Sequence, residues 1–247
     1  LDFALLCSKN GKITKINHIS TAYVAGKHKG RFCEGDLKLG QEFNNTYELS
    51  KFEAEVLVNE YRNKSLDIDI YRPSIILGRH SDGWTTNFKM FYQPLHFFSL
   101  DLFDVIPASR SSRANLINVD IAANIIFSIS NNHEKHNSTY HIASPVIPKL
   151  EFVVSVASDF FGFREPEFIE PERFDFKKLY TPVQRHMMEP FIPYFNYFTD
   201  FDITVTETMK KKCKFEFPDF DRDNFLRLYE FCDFTGAIKR KKNAIVG

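Results

Sequence analysis

The sequence predicts an α/β fold, a parallel sheet with covering helices and a smaller, mostly helical C-terminal part. Three observations predict it. An apolar strand, a capped helix and a second apolar strand follow one another between residues 13 and 78. That order joins parallel neighbours through a helix. Short β-branched runs and helical spacings then alternate up to residue 161. After Pro166 strands fade and prolines recur at 171, 182, 190, 193 and 218, which places one boundary there and divides 1–165 from 166–247.

Residues 13–20, Ile-Thr-Lys-Ile-Asn-His-Ile-Ser, mix β-branched and apolar positions and read as a strand ending in the turn Thr21-Ala22-Tyr23-Val24-Ala25-Gly26. Residues 27–43 are polar, contain glycine and read as a loop. Asn45 is a good N-cap with Glu48 three residues on, a capping-box spacing. Leu49, Phe52, Val56 and Leu57 continue helical apolar spacing to about Tyr61. Residues 66–78 read as one buried strand closed by proline and glycine. An aromatic-rich helix follows from Trp84 to Asp104, then a strand over Leu116–Val119. Asp120 can cap the helix that carries Ile121, Ile125, Ile126 and Ile129. Thr139–Ala143 reads as a strand and 149–161 as a helix.

Composition bounds the function. The 32 Lys+Arg balance 32 Asp+Glu, giving zero formal net charge. A generic nucleic-acid binder needs a basic excess to neutralise phosphates, so that class is excluded. With 43% hydrophobic and 26% charged residues the chain is globular and long enough to bury a core. Of 27 phenylalanines only Phe3, Phe32, Phe43 and Phe52 precede residue 85. Both an aromatic core and a greasy substrate channel are built this way. Cys7, Cys33, Cys213 and Cys232 form no CxxC pair and no ligand spacing with histidine, which reads as a reducing, cytoplasmic setting without structural zinc. No apolar run reaches the ~18 residues of a membrane span, and no signal peptide is visible. The chain opens Leu1-Asp2-Phe3 without an initiator methionine and reads as a piece of something longer or a processed chain.

The constellation that carries chemistry is Thr21, Tyr47 and Lys51. Tyr47 and Lys51 are four apart on the predicted helix and share a face. An ammonium beside a phenol favours the phenolate. Bringing a phenol from ~10 to near 7 takes about three pKa units, roughly 4 kcal/mol. A hydroxyl at the neighbouring strand end adds a second donor to the same substrate oxygen, an arrangement suited to carbonyl reduction. The Tyr-x-x-x-Lys spacing alone is weak, since about 0.8 matches arise by chance here. The chain holds two, and Tyr23 with Lys27 spans a turn, whereas Tyr47 with Lys51 lies on the capped helix. His18 reads as a packed strand histidine or a substrate contact. Arg72 reads as a cofactor-phosphate contact or a buried ion pair. Lys210-Lys211-Lys212 and Lys239-Arg240-Lys241-Lys242 are solvated ends, or contacts to an anionic membrane surface or a carrier protein. No P-loop, serine-hydrolase elbow or metal-binding histidine pair is present.

Three strings carry a resemblance: His18-Ile19-Ser20-Thr21-Ala22-Tyr23-Val24-Ala25-Gly26, Tyr47-Glu48-Leu49-Ser50-Lys51-Phe52-Glu53-Ala54-Glu55 and Tyr71-Arg72-Pro73-Ser74-Ile75-Ile76-Leu77-Gly78. Their order closely resembles the extended short-chain dehydrogenase/reductases. Within these it resembles the thioester-reductase and fatty acyl-CoA reductase branch, the "male sterility" NAD-binding type. The likeness covers 13 to about 145. It implies a Rossmann-like, doubly wound parallel sheet, of which this chain would hold the C-terminal half, with the helical C-terminal part as a substrate cap. It implies NADPH-dependent reduction of an acyl thioester, carried by acyl-CoA or a carrier protein, to aldehyde or alcohol. Thr21, with Ser20 as runner-up, would hold the carbonyl oxygen. Tyr47 would be the proton donor. Lys51 would bind the nicotinamide ribose and tune Tyr47. Ser20, Tyr47, Lys51, Pro73, Ser74 and Ile76 would contact the cofactor. The phenylalanine-rich segment from Phe88 to Phe103 and the C-terminal part would hold the acyl chain. The family's glycine-rich GxxGxxG turn, which cradles the pyrophosphate on a helix N-terminus, is absent from these 247 residues. Two other readings stand beside this one: a nucleotide-sugar or sterol enzyme using the same residues, and an inactive binding scaffold with an exposed sheet edge.

Overall fold

The computed structural model describes residues 1–11, 15–62, 67–132, 137–197 and 199–241. In chain order it opens with α1 (Asp2–Lys9), β1 (Ile16–Ile19), β2 (Gly30–Phe32), α2 (Thr46–Arg62), β3 (Ile68–Pro73) and β4 (Ile75–Leu77). The middle holds α3 (Tyr92–Ser99), β5 (Val105–Pro107), β6 (Leu116–Asn118), α4 (Val119–Ser130), β7 (Thr139–Ile142) and α5 (Leu150–Phe161). Then come β8 (Glu167–Ile169), the short helices α6 (Phe176–Leu179), α7 (Pro182–Met188) and α8 (Ile192–Phe195), β9 (Thr199–Phe201), α9 (Thr204–Cys213) and α10 (Arg222–Thr235). The chain forms two compact units that interleave in sequence. The first takes Leu1–Ser74, Ile121–Pro145 and Phe198–Phe217; the second takes Ile75–Asp120, Val146–Tyr197 and Pro218–Gly247. The sequence reading places a single boundary at residue 166 instead.

The first unit is built on the parallel sheet β1-β3-β7. His18 pairs with Ile70, and Arg72 pairs with His141, so residues in register share a face. One face presents Ile16, Ile68 and Ile70, which pack with Val58 and Tyr61 of α2. The other presents Tyr71 and Tyr140, stacked at 5.4 Å. β3 is central and buried along its whole length. Its two charges are partnered. Asp69 meets Lys15 at 2.6 Å, and Arg72 meets Glu55 of α2 at 2.7 Å. The predicted capping of α2 is present, with the Glu48 N–H donating to Asn45 Oδ1 at 3.0 Å. Glu48 in turn accepts from the Asn44 N–H at 2.8 Å.

The buried polar network around Arg72 ties distant segments to this sheet. Its guanidinium donates to both Glu55 oxygens, to Asp36 O at 2.8 Å and to Glu34 O at 3.4 Å, and it lies over the Phe32 ring. Its Nη1 also meets His141 Nε2 at 3.2 Å. His141 Nδ1 lies 2.7 Å from the Asp202 carbonyl, so the ring is neutral with its proton on Nδ1. Burial and then the nearby Arg72 charge hold the His141 pKa down, at about 3. The Glu34 carboxylate accepts from the backbone N–H of His141, Val205 and Thr206 and from Thr206 Oγ1. It thereby caps α9 from a loop 170 residues away. Burial raises its pKa in spite of those donors.

The second unit holds two short parallel pairs, β4-β6 and β5-β8, under α3, α5 and α10. Most of the late phenylalanines lie here and form an aromatic core. Phe97, Phe98, Phe103, Phe161 and Phe225 are all buried, and Phe91, Phe225 and Tyr229 stack with one another. Gly83 has φ +74°, and a Cβ there would lie 2.1 Å from Arg227 O, so the 78–83 turn sits directly on the α10 backbone.

Several sequence expectations are corrected. The strand over 66–78 is two strands, because at Ser74 the chain changes partners. The Ser74 N–H donates to Ile142 O, whereas the Ile75 N–H donates to Asn115 O. The aromatic helix shrinks to Tyr92–Ser99. Thr85 and Asn87 hold the preceding backbone through their own side chains, and Asp101 takes a positive φ after it. The 27–43 loop contains β2, paired with β9, and strands continue past 166 as β8 and β9. Asp120 lies inside the first turn of α4 and accepts the His80 N–H. Residues 13, 14 and 66 of the expected strands lie outside the described residues.

Two outcomes follow. Gly26 ends the turn after Thr21 with φ +54°, and a Cβ there would lie 2.2 Å from Glu42 O. Gly26→Ala should therefore cost at least about 2 kcal/mol, read as a lower urea midpoint at unchanged slope. His141 has a folded pKa near 3, below the 6.5 of a free imidazole. Between those values the unfolded chain binds the extra proton, so stability falls as pH falls through that window. His18, also lowered by burial, adds in the same direction. Imidazole 15N shifts should show His141 still neutral at pH 5; a midpoint near 6.5 would contradict the network.

Candidate active site

Four of the predicted residues, Ser20, Thr21, Pro73 and Ser74, lie at the C-terminal ends of β1 and β3, where parallel sheets bind ligands, and Tyr47 and Lys51 lie on α2. Thr21 follows β1 and is 5% exposed. Its hydroxyl accepts the Tyr23 N–H at 3.3 Å, capping a 3-10 turn over Ala22–Ala25, and donates to Pro73 O at 3.4 Å. The second contact is long and weak. Ser20, the runner-up, extends the β1 ladder through its N–H to Tyr71 O. Strand alternation sets it on the His18 side of the sheet, the side that α2 covers. Its Oγ is buried and has no hydrogen-bond partner among the described residues. The same holds for Ser74 Oγ, directly after β3, and for His18 Nε2.

α2 packs against the turn that Thr21 caps. Tyr47, Lys51 and Glu55 stand four apart along it. Successive members drift by about 40° around the helix axis. Glu55 is fully buried on Arg72, Lys51 is half-buried, and Tyr47 is 54% exposed. That drift accounts for the gradient, and it leads the stripe from the sheet out to solvent. Burial holds the His18 pKa down, opposed by Glu55 and reinforced by Lys51, which places His18 beneath this stripe.

The rival Tyr23–Lys27 match does not converge. Tyr23 is buried edge-on against Phe201, while Lys27 meets Glu42 at 3.1 Å. Ile76 lies on β4 in the second unit and is 48% exposed. Arg72 is the buried ion pair, not an open phosphate contact. Three members of the basic runs are paired. Lys210 meets Glu216, Arg240 meets Asp233, and Lys241 meets Asp101; Lys242 lies outside the described residues.

The sequence reading missed Glu34, Glu55, His141 and Thr206, which hold the site in place. Glu55 had a legible signal, standing one further helical step beyond Lys51. Glu34, His141 and Thr206 had none, because their meeting depends on sheet register. Among the described residues no helix is long and apolar enough to cross a membrane.

A nicotinamide cofactor is implied by the fold, and the residues fit one end of it. The orphaned hydroxyls of Ser20 and Ser74 and the ammonium of Lys51 suit an amide and a ribose diol. No glycine-rich turn in the 247 residues supplies a pyrophosphate cradle.

Comparison with known proteins gives the family and the fold. The male sterility protein family profile matches residues 2–126. "Putative fatty acyl-CoA reductase 7" of Arabidopsis thaliana is 23% identical over 208 residues, covering 60% of this chain and 50% of that protein. The chain thus spans about half the length of this curated relative. Among solved structures, the terminal R domain of the myxalamid PKS-NRPS pathway superposes with a TM-score of 0.75 at 17% identity, over 92% of this chain and 60% of that one. The thiolation-reductase di-domain of an archaeal non-ribosomal peptide synthetase gives 0.74 at 20% identity, over 94% and 52%. UDP-glucuronic acid 4-epimerase from Bacillus cereus, in complex with NAD, gives 0.64 at 17% identity, over 93% and 63%. These structures share the Rossmann-like fold. The chain belongs to the male sterility family of NAD-binding domains, within the extended short-chain dehydrogenase/reductases, a family of NAD(P)-dependent oxidoreductases.

Proposed function

We propose that this chain carries the carbonyl site of an NADPH-dependent reductase of acyl thioesters, bound to CoA or a carrier protein and reduced to aldehyde or alcohol. Two observations support the reading: the Tyr47–Lys51–Glu55 spacing on α2, anchored through Glu55 to Arg72, and the buried, unpartnered hydroxyls of Ser20 and Ser74 at the ends of β1 and β3. Thr21 and Ser20 hold the substrate oxygen. Thr21 must give up its long bond to Pro73 O to do so; Ser20 has its proton free for it. Tyr47 delivers a proton to the developing oxyanion. Lys51 stabilises the phenolate that remains and binds the ribose. Ser74 and the Pro73 backbone line the nicotinamide end. When bound, the cofactor supplies the hydride. Both the fatty acyl-CoA reductase relative and the reductase domains of the structural neighbours support a thioester as substrate. The epimerase neighbour supports a nucleotide sugar as the second reading, and the aromatic second unit favours the lipid. The free cysteines agree with the cytoplasm as its place.

Tyr47→Phe in the active protein should lower kcat about 10²-fold or more with little change in KM. Near-normal turnover would remove Tyr47 from the mechanism. Turnover of acyl-CoA against UDP-sugars separates the two readings. The 247-residue chain by itself should bind NADPH with a Kd above about 1 μM, since it lacks the cradle that contributes most of the phosphate contacts. Tight, saturable enhancement of nucleotide fluorescence by this chain would overturn that expectation.

A further inference from the structure

The first unit contains a polar cavity of about 270 Å³. Among the described residues, Asn59 and Arg62 in the last turn of α2 line it, with Asn137, Ser138 and Thr139 at the start of β7 and Glu34 from the 33–37 loop. Arg62 also reaches Ile68, which opens β3. The cavity thus lies toward the starts of these strands, whereas Ser20 and Ser74 follow strand ends.

Arg62 is the informative residue. Its Nε donates to Ile68 O at 2.8 Å, and its Nη1 to Asn59 Oδ1 at 3.1 Å and Thr139 Oγ1 at 3.2 Å. Its Nη2 donates to Ser138 O at 2.6 Å. All four acceptors are neutral, and a guanidinium has five N–H groups, so one on Nη2 remains. The other charges around it are engaged. Arg72 meets Glu55, Asp69 meets Lys15, and both Glu34 oxygens accept from backbone and hydroxyl donors. Burial pushes the Arg62 pKa down, and the more distant Asp69 and Glu55 only partly oppose it.

Two lining amides have open donors. Asn59 Oδ1 accepts from Arg62, and Asn137 Oδ1 accepts the Ile68 N–H at 3.1 Å. Those donors fix which end of each amide is oxygen. Neither Nδ2 has a partner among the described residues. A water needs about 10–15 Å³ and two to four polar partners, so this space is wet and has room for an organic guest. An anion adds what water does not, a charge-assisted bond to the guanidinium. Its charge is limited. Glu34 lines the same space, and the last carbonyls of α2 carry partial negative charge, so a second negative charge is repelled.

We propose that this cavity is a binding site for a small monocarboxylate with a hydroxylated body. The carboxylate meets Arg62 and the Asn59 and Asn137 amides. The hydroxyls replace water against Thr139 and the backbone at Gly35, which also lines the space. The site is independent of the carbonyl chemistry proposed for the chain.

Glycerate carries both features and serves as the probe. Titrated at constant ionic strength, it should move the Arg62 Nε–H and the Asn59 and Asn137 side-chain amide signals saturably, with a Kd below about 10 mM. Glycerol lacks the charge, propionate lacks the hydroxyls, and inorganic phosphate is largely dianionic above its second pKa. Each should bind about tenfold more weakly or less. Asn137→Asp keeps the acceptor for Ile68 and tolerates the positive φ of this position, but replaces the amide donor by a charge. It should weaken glycerate by about tenfold or more. Arg62→Gln should abolish binding; because Arg62 also ties α2 to β3 and β7, Asn137→Asp decides the matter if Arg62→Gln does not fold. Shifts that fail to saturate, that chloride reproduces, or that survive Asn137→Asp unchanged overturn the site. Binding of glycerol, propionate or phosphate as tight as that of glycerate overturns the ligand class.

Discussion

The pairing of Arg72 with Glu55 is the constraint from which the first unit is organised. Both side chains are buried, and a buried guanidinium without a partner would cost several kcal/mol. The pair therefore fixes α2 in register over β3. The remaining donors of Arg72 reach Glu34 O, Asp36 O and His141, which recruits the 33–37 loop and β7 to the same point. Glu34 then caps α9, so a segment near residue 205 is located by the same cluster. A hydrophobic contact of equal area would tolerate sliding of α2 along the strand. A bidentate ion pair with fixed donor directions does not. It sets the position along the sheet of α2, the helix that carries Lys51 and Tyr47.

What the sequence made legible was local. Asn45 and Glu48 announce the start of α2, and the structure uses both. The β-branched run before Ser20 and the buried run before Pro73 are strands because neighbours in a parallel sheet are covered on both faces. The Tyr47–Lys51 spacing was visible because helical geometry alone puts those residues on one face. What was not legible depended on pairing between distant segments. β2 and β9 are three residues each, and neither Gly-Arg-Phe nor Thr-Asp-Phe carries a strand signal without the other beside it. The interleaved units were hidden for the same reason. At Ser74 one continuous apolar run leaves β7 for a new partner, and nothing in the composition marks the exchange. Trp84 to Asp104 looked helical throughout because aromatic spacing is ambiguous. The turns around Asn87 and Asp101 are set by side-chain and left-handed backbone geometry instead.

The two hydroxyls after β1 are bonded differently. Thr21 spends its lone pair and its proton on the backbone that shapes the turn, so it is first a structural residue. Ser20 and Ser74 spend nothing, and each leaves a buried polar atom unsatisfied. A buried hydroxyl without a partner costs roughly 1–3 kcal/mol. On the proposed mechanism, a ligand at the ends of these adjacent parallel strands would complete their bonding.

Exposure decides when the site becomes competent. An ammonium about 4 Å from a phenolate contributes only about 1 kcal/mol in bulk water, and about four times that when the surroundings are partly dry. Making a phenol ionise near neutrality calls for roughly 4 kcal/mol. Tyr47 stands 54% exposed, at the outer end of a stripe whose inner end is dry. The chemistry assigned to it therefore demands that something cover the stripe. A flat cofactor ring and an acyl tail laid across Tyr47 and Lys51 would expel the water that weakens their coupling. On the proposed mechanism the ligands themselves would assemble the catalytic electrostatics, and the protein's part would be to hold the amine and the phenol on α2, which the buried Arg72–Glu55 pair fixes over β3.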